Sequence, residues 1–155
     1  MTQGPVFDCL KEWATRYVRH RDIAANKIAE IRTASFGILV VNKDTTSISC
    51  VVQPSLESFN ADDGAIQGKA IIVTLNNEDN IRAVYKMWDK LAAKKELLML
   101  FVNPFSGLEE KWLLKPYIHG LVCDKSSLLQ GLRTMAELVE PTNEGAMLLK
   151  MKEQI

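Results

Sequence analysis

The chain has 155 residues, 47% of them apolar, with 19 basic and 19 acidic side chains. That size suits one domain with a sizeable core, and the composition excludes a disordered chain. Zero net charge argues against a strongly nucleic-acid-seeking protein, and no apolar run approaches the length that spans a bilayer.

The amino terminus lacks the apolar core of a signal peptide, so the expectation is a cytoplasmic protein. Cys9, Cys50 and Cys123 are far apart, odd in number and in no metal-binding spacing. They read as reduced, mostly buried thiols. Charge is uneven along the chain. Residues 36–80 carry two basic and six acidic side chains, and the segments on either side are each net plus two.

Residues 6–31 read as one long amphipathic helix opened by Pro5 in its first turn. Val6, Leu10, Trp13 and Tyr17 form its apolar stripe, continued by Ala24, Ile28 and Ile31. Arg16, Arg19, His20 and Arg21 make a basic cluster beside two aromatic rings. Its functional reading is a phosphate-binding face, and its plain reading is a solvated helix surface diluted by Asp8, Glu12 and Asp22.

Residues 36–53 read as a β-hairpin. Ile38–Val41 is one strand, residues 42–46 the turn, and Ile48–Val52 the return, with Ser47 and Ser49 on a less buried face. Residues 53–69 form a long, acidic connection without a strand, the kind of loop that is functional or mobile. Asp62-Asp63-Gly64 is a turn signal and lacks the ligand spacing of a calcium loop. The Gly64 to Lys69 stretch superficially suggests a phosphate loop. It fails on its gap, on Ala70 where Ser or Thr should stand, and on the strand that follows.

The clearest unit is residues 70–104. Ile71–Leu75 is a short, β-branched strand of the kind buried on both faces. Asn77 is placed to cap a helix with Glu78 and Asp79 in its first turn. Ile81, Val84, Tyr85, Trp88 and Leu91 recur on one helical face, Lys94 and Lys95 close it, and Leu97–Val102 is a second apolar strand. A strand, helix and strand on short links predict a parallel crossover. Asn76, Asn77 and Asn103 are then brought to one carboxyl edge, where open α/β sheets bind ligands. With Trp112 they are the candidate ligand-binding residues. The competing reading is that Asn77 caps its helix and Asn103-Pro104 turns the chain.

Residues 111–114 and 117–122 read as a strand broken at Pro116, or as an edge strand followed by a loop. Asp124 or Ser126 caps a last helix carrying Leu128, Leu132, Met135 and Val139. Residues 142–155 read as a flexible tail, a short helix, or a segment that packs on a partner subunit.

Chemistry is sparse. Two histidines exclude a histidine-rich metal site, and no metal ligand set or cofactor is expected. No nucleophile elbow and no dinucleotide fingerprint occur. His119, with Lys111 or Asp124, is the one candidate acid–base group, against a structural role for a histidine in an apolar region.

The order of long helix, hairpin, strand, helix and strand over residues 7–104 resembles the αβββαβ core of the PD-(D/E)xK nuclease family. That resemblance implies a metal-binding Asp near Gly37 and an acid-x-Lys at Val51-Val52-Gln53. Neither is present, so it implies a non-cleaving relative.

The expected fold is a single α/β domain over residues 1–155. It has a mixed sheet of about five strands, a long N-terminal helix, a hairpin, a β-α-β unit and a C-terminal helix. The expected function is a non-catalytic binding or assembly module that meets a protein partner or itself, without a membrane. The alternative is a nucleic-acid-binding protein of nuclease-like ancestry using Arg16, Arg19 and Arg21. A third reading is a hydrolase or transferase using His119.

Overall fold

Six strands form one mixed sheet in sequence order, and its centre is parallel and buried on both faces. The computed structural model describes residues 4–66 and 68–153. Helix α1 (Pro5–Ala25) precedes a meander of β1 (Ile28–Ala34), β2 (Gly37–Asn42) and β3 (Ser47–Val52). Then come β4 (Ala70–Leu75), α2 (Glu78–Lys86), α3 (Trp88–Ala92), β5 (Leu97–Val102) and β6 (Lys111–Leu114). Helices α4 (Pro116–Val122), α5 (Lys125–Ala136) and α6 (Glu144–Glu153) complete the chain.

β3, β4 and β5 run parallel, whereas β1, β2 and β6 pair antiparallel with their neighbours. Every residue of β4 is buried, as its unbroken apolar run requires. On one face, α1 and α6 cover Ile38, Val40, Val52, Ile71, Val73 and Leu100. On the other, α2, α3 and α5 cover Ile72, Met99, Phe101 and Trp112. The 53–69 connection lies on this second face, where Leu56, Ala61 and Ile66 enter the core. Both parallel crossovers therefore pass over the same face, as two crossovers of one hand must.

Three expectations change, and the tail takes the helical one of its readings. The first helix stops at Ala25, because Asn26 adopts a left-handed conformation (φ 50°). The Asp22 carboxylate accepts the backbone N–H of Lys27 at 2.7 Å and of Ile28 at 3.1 Å. Ile28 and Ile31 then belong to β1, which raises the strand count from about five to six. Residues 78–92 form two helices that meet at Met87. Residues 116–122 are helical, with Pro116 in the first turn where its missing N–H has no partner to lose. Residues from 144 form α6, whose Met147 is fully buried in the α1-side core, so this segment packs on its own chain.

Gly37 opens β2 with φ 145°, and an added Cβ would lie 2.4 Å from the Cys50 carbonyl oxygen. Cys50 itself is enclosed, and burial pushes its thiol pKa up to about 12. A side chain at position 37 meets both a disfavoured backbone conformation and a rigid neighbour. Gly37→Ala is expected to cost about 2 kcal/mol or more. Urea denaturation checks this, and an unchanged midpoint would mean the β2–β3 junction adapts freely.

Candidate functional site

The carboxyl edge of β4 and β5 gathers the predicted asparagines, and all three amides are engaged by the chain's own backbone. Asn76 Nδ2 donates to the carbonyls of Ala136 (3.0 Å) and Val139 (2.8 Å). Its Oδ1 accepts Trp112 Nε1–H at 2.7 Å, and its backbone carbonyl accepts the Thr142 N–H at 2.9 Å. Asn77 Oδ1 accepts the Asn80 N–H, capping α2, while its Nδ2 donates to Thr142 O. Asn103 Nδ2 donates to Glu140 O, and its Oδ1 accepts the Phe105 N–H. Trp112 is buried and stacked on Phe101 with ring centroids 4.3 Å apart.

Sequence reasoning passed over Asn80, the fourth member of this network. It accepts the Leu56 N–H and donates to the carbonyls of Pro54 and Leu75, fixing the start of the acidic loop. The signal was present as a third asparagine in a five-residue stretch, NNEDN. Together these amides tie residues 136–142 and 54–56 across the edge where a ligand was expected. Outside the tie lies a groove of about 530 Å³, flanked by Glu78, Arg133, Leu138 and Glu140. Arg133 Nε donates to Glu78 at 2.7 Å, and its guanidinium holds that carboxyl below its ordinary value.

The proposed acid–base group is not assembled with its partners. His119 packs edge-on against Trp88, with ring centroids 5.6 Å apart. Its buried Nε2 has no hydrogen-bond partner among the described residues. Lys111 starts β6 at the carboxyl end of β5, whereas His119 follows the other end of β6. Lys111 Nζ instead lies 5.8 Å from the Tyr17 ring centroid and 3.5 Å from Glu109. Asp124 stands at the start of α5 without a side-chain capping bond. Asp62 in the acidic loop pairs with Lys90 at 2.8 Å, which holds its carboxyl below its ordinary value. Among the described residues, no three His, Cys, Asp or Glu side chains converge as a metal site would require.

The basic cluster of α1 divides. Arg16 and Arg19 are exposed, and Arg19 borders a depression with Ile23 and Asn26. Arg21 Nη1 donates to Tyr17 Oη at 3.3 Å and points to a different place. It joins Lys27, Lys69, Lys95 and Lys115 around a cleft of about 520 Å³ at the amino edge of the parallel strands. These five cations come from α1, the α1–β1 link, the residue before β4, the turn before β5 and the link after β6. Val18, Val40 and Ile71 help to form an apolar floor.

Two acidic residues, Asp22 and Glu96, also line the cleft. The Asp22 carboxylate is already bound to two backbone N–H groups. Among the described residues, none of the four lysines forms a salt bridge; Lys95 lies over the Tyr117 ring instead. The arrangement therefore leaves positive charge unneutralised around a partly apolar hollow, which suits an anion. No sequence cluster announces it, because its members are spread over 95 positions, from Arg21 to Lys115.

Compared with models of known families, with curated proteins and with solved structures, the chain matches none of them.

Two expectations follow from the carboxyl edge. Asn76→Ala leaves the Trp112 N–H and two carbonyls without a buried partner, and should cost about 3 kcal/mol. Urea denaturation reads the loss, and amide exchange at Thr142 should accelerate; unchanged exchange would separate Asn76 from the tie. Glu78 is held ionised in the fold, so its contribution is present at neutral pH and lost as pH falls through the carboxylate range. Because the pair is largely solvated, Glu78→Gln should cost about 0.5 kcal/mol at neutral pH. Thermal melts of both proteins should converge towards acid pH, and a constant gap would exclude the ion pair as its source.

Proposed function

We propose that the chain is a non-catalytic binding module whose working surface is the amino-edge cleft, and that its ligand is a phosphate-bearing polyanion. The observation that carries this reading is the convergence of Arg21, Lys27, Lys69, Lys95 and Lys115 on one hollow without compensating salt bridges. Holding like charges together is unfavourable in the free protein, and an anion relieves that repulsion. The tied carboxyl edge and the separation of His119 from Lys111 support binding over chemistry.

A nucleic-acid strand is one polymer of this class. It is favoured by the exposed Arg16 and Arg19 on the helix that also supplies Arg21 to the cleft. Arg16 and Arg19 then extend the track away from the cleft and contribute less than the lysines.

Fluorescence anisotropy with a labelled single-stranded oligonucleotide, and competition by pyrophosphate, test the proposal. Binding should weaken by about tenfold or more between 50 and 200 mM salt. Replacing Lys69, Lys95 and Lys115 with Glu should abolish it, whereas replacing Arg16 and Arg19 with Ala should change affinity about twofold to threefold. Absence of binding at low salt, or full binding by the triple variant, would overturn the reading.

A further inference from the structure

The sheet ends in two edge strands, and they differ. β6 has four residues, and α4 begins directly beyond Lys115. β1 has seven, and among the described residues nothing pairs with its outer side. Which of its backbone groups face outward follows from the ladder. Val52 N–H donates to Phe36 O at 2.7 Å, and bonded positions alternate along an antiparallel pair. Phe36, Ile38 and Val40 therefore turn their backbone groups to β3, and Gly37, Leu39 and Val41 turn theirs to Ala34, Arg32 and Glu30 of β1. Ile31 and Thr33 are left with N–H and C=O groups aimed at the open edge. Such a row is a template for one more strand.

The side chains of β1 select that strand. The segment IAEIRTA is self-complementary in charge about its midpoint, Ile31. An antiparallel copy centred there sets Glu30 opposite Arg32 and Ile31 opposite itself, and pairs the whole strand, with Ile28 reaching Ala34. The next register, centred on Arg32, would set Arg32 against its own copy, which is destabilising. Glu30 and Arg32 share the face turned away from α1, because they pair with Val41 and Leu39, whereas Ile31 pairs with Val40 of the α1-side core. They already form an ion pair within the strand, so a second copy completes a square of alternating sign. Neighbouring charges do not oppose this. Arg19 and Asp22 of α1 border the strand on its other face, one of each sign. Lys27 falls opposite the uncharged Ser35, and Lys43 and Asp44 lie beyond the paired span in the β2–β3 turn.

We infer that β1 of one copy of this chain pairs antiparallel with β1 of a second copy about a two-fold axis at Ile31, joining two sheets into one. On the α1 face the two Ile31 side chains meet beside a depression of about 510 Å³, bordered by Ile23, which is 77% exposed. The contact is isologous and closes at the dimer, because each copy has then used its one long edge. The bulge between Ile28 and Glu30 confines the regular ladder to the middle of the strand, so the contact is small and the dimer depends on concentration. This inference rests on β1 alone and stands whether or not the cleft takes a polyanion.

Sedimentation velocity from about 10 µM to about 1 mM protein tests it across the range where weak contacts report. The wild-type chain should pass from monomer to dimer and stop there. Over the same range, hydrogen exchange of the Ile31 amide should slow, because the second copy accepts its N–H. Glu30→Arg and Arg32→Glu each set like charges opposite one another, and each alone should weaken self-association about tenfold or more. Both positions are exposed, so melting temperatures should hold. An equimolar mixture of the two variants should dimerise again, as should the chain carrying both changes, because each restores an acid opposite a base. A wild-type chain that stays monomeric, a single variant that dimerises as the wild type does, a mixture that stays monomeric, or a dimer with unchanged exchange at Ile31 would overturn the inference.

Discussion

One side chain organises the carboxyl end of this sheet. Asn76 stands at the end of a fully buried strand, where its amide must find partners or carry a large desolvation cost. It finds them in three directions: the turn after α5 at Ala136 and Val139, and the indole of Trp112 on β6. The edge strand β6, the end of α5 and the approach to α6 are thereby fixed relative to β4. Asn77, Asn80 and Asn103 extend the same solution to neighbouring backbone. A network of this kind is stable because every member is satisfied, and it consumes the polar groups that a ligand would use.

With those amides engaged, the groove at that edge keeps few unpaired polar groups, and the unpaired cations gather at the other end. The links at the amino ends of the parallel strands carry lysines there: Lys27, Lys69, Lys95 and Lys115. Each alone is an ordinary solvated charge at an element boundary, but the topology stacks the boundaries beside one another. Helix α4 adds exposed apolar side chains to the same end, and Ile118 among them belongs to the cleft wall. The molecule is thus neutral overall, with cations and apolar groups gathered at the amino ends of its parallel strands.

What was legible in the sequence followed from strong local periodicity. The β4–α2–β5 unit, the β2–β3 hairpin and the Asn77 cap are where the residues place them. β1 was hidden because its burial recurs every third residue, at Ile28, Ile31 and Ala34, which imitates a helix. A register shift between Ile28 and Glu30 produces the first of those spacings, since a bulge lets residues an odd number apart share a face. Helix α4 was hidden because Pro116 reads equally as a strand breaker and as a helix opener. At the carboxyl edge Asn76, Asn77 and Asn103 do lie together, but the partners of Asn76 and Asn77 lie some 60 positions away, beyond what sequence spacing reports. The cleft has no local signature, because it exists only where five separate boundaries meet.

The hairpin positions that would carry a nuclease's catalytic groups are occupied by packing demands instead. At Gly37 the backbone φ and the nearby Cys50 carbonyl leave no room for any side chain. Val51 is buried in the core that holds Leu56 and Ile66, and Val52 in the core beneath α1, so the two point into opposite layers. An ionised group at either would be taken out of water without a partner, at a cost of several kcal/mol. Gln53 Nε2 is held by the Ser55 carbonyl at 2.9 Å, steering the chain into the acidic loop. A carboxylate introduced at one of these positions would therefore not make a site, because β3 is buried on both sides between two cores. The same burial makes the sheet a rigid support for surfaces at its two ends, and those ends are where exposed charge and exposed apolar groups coincide.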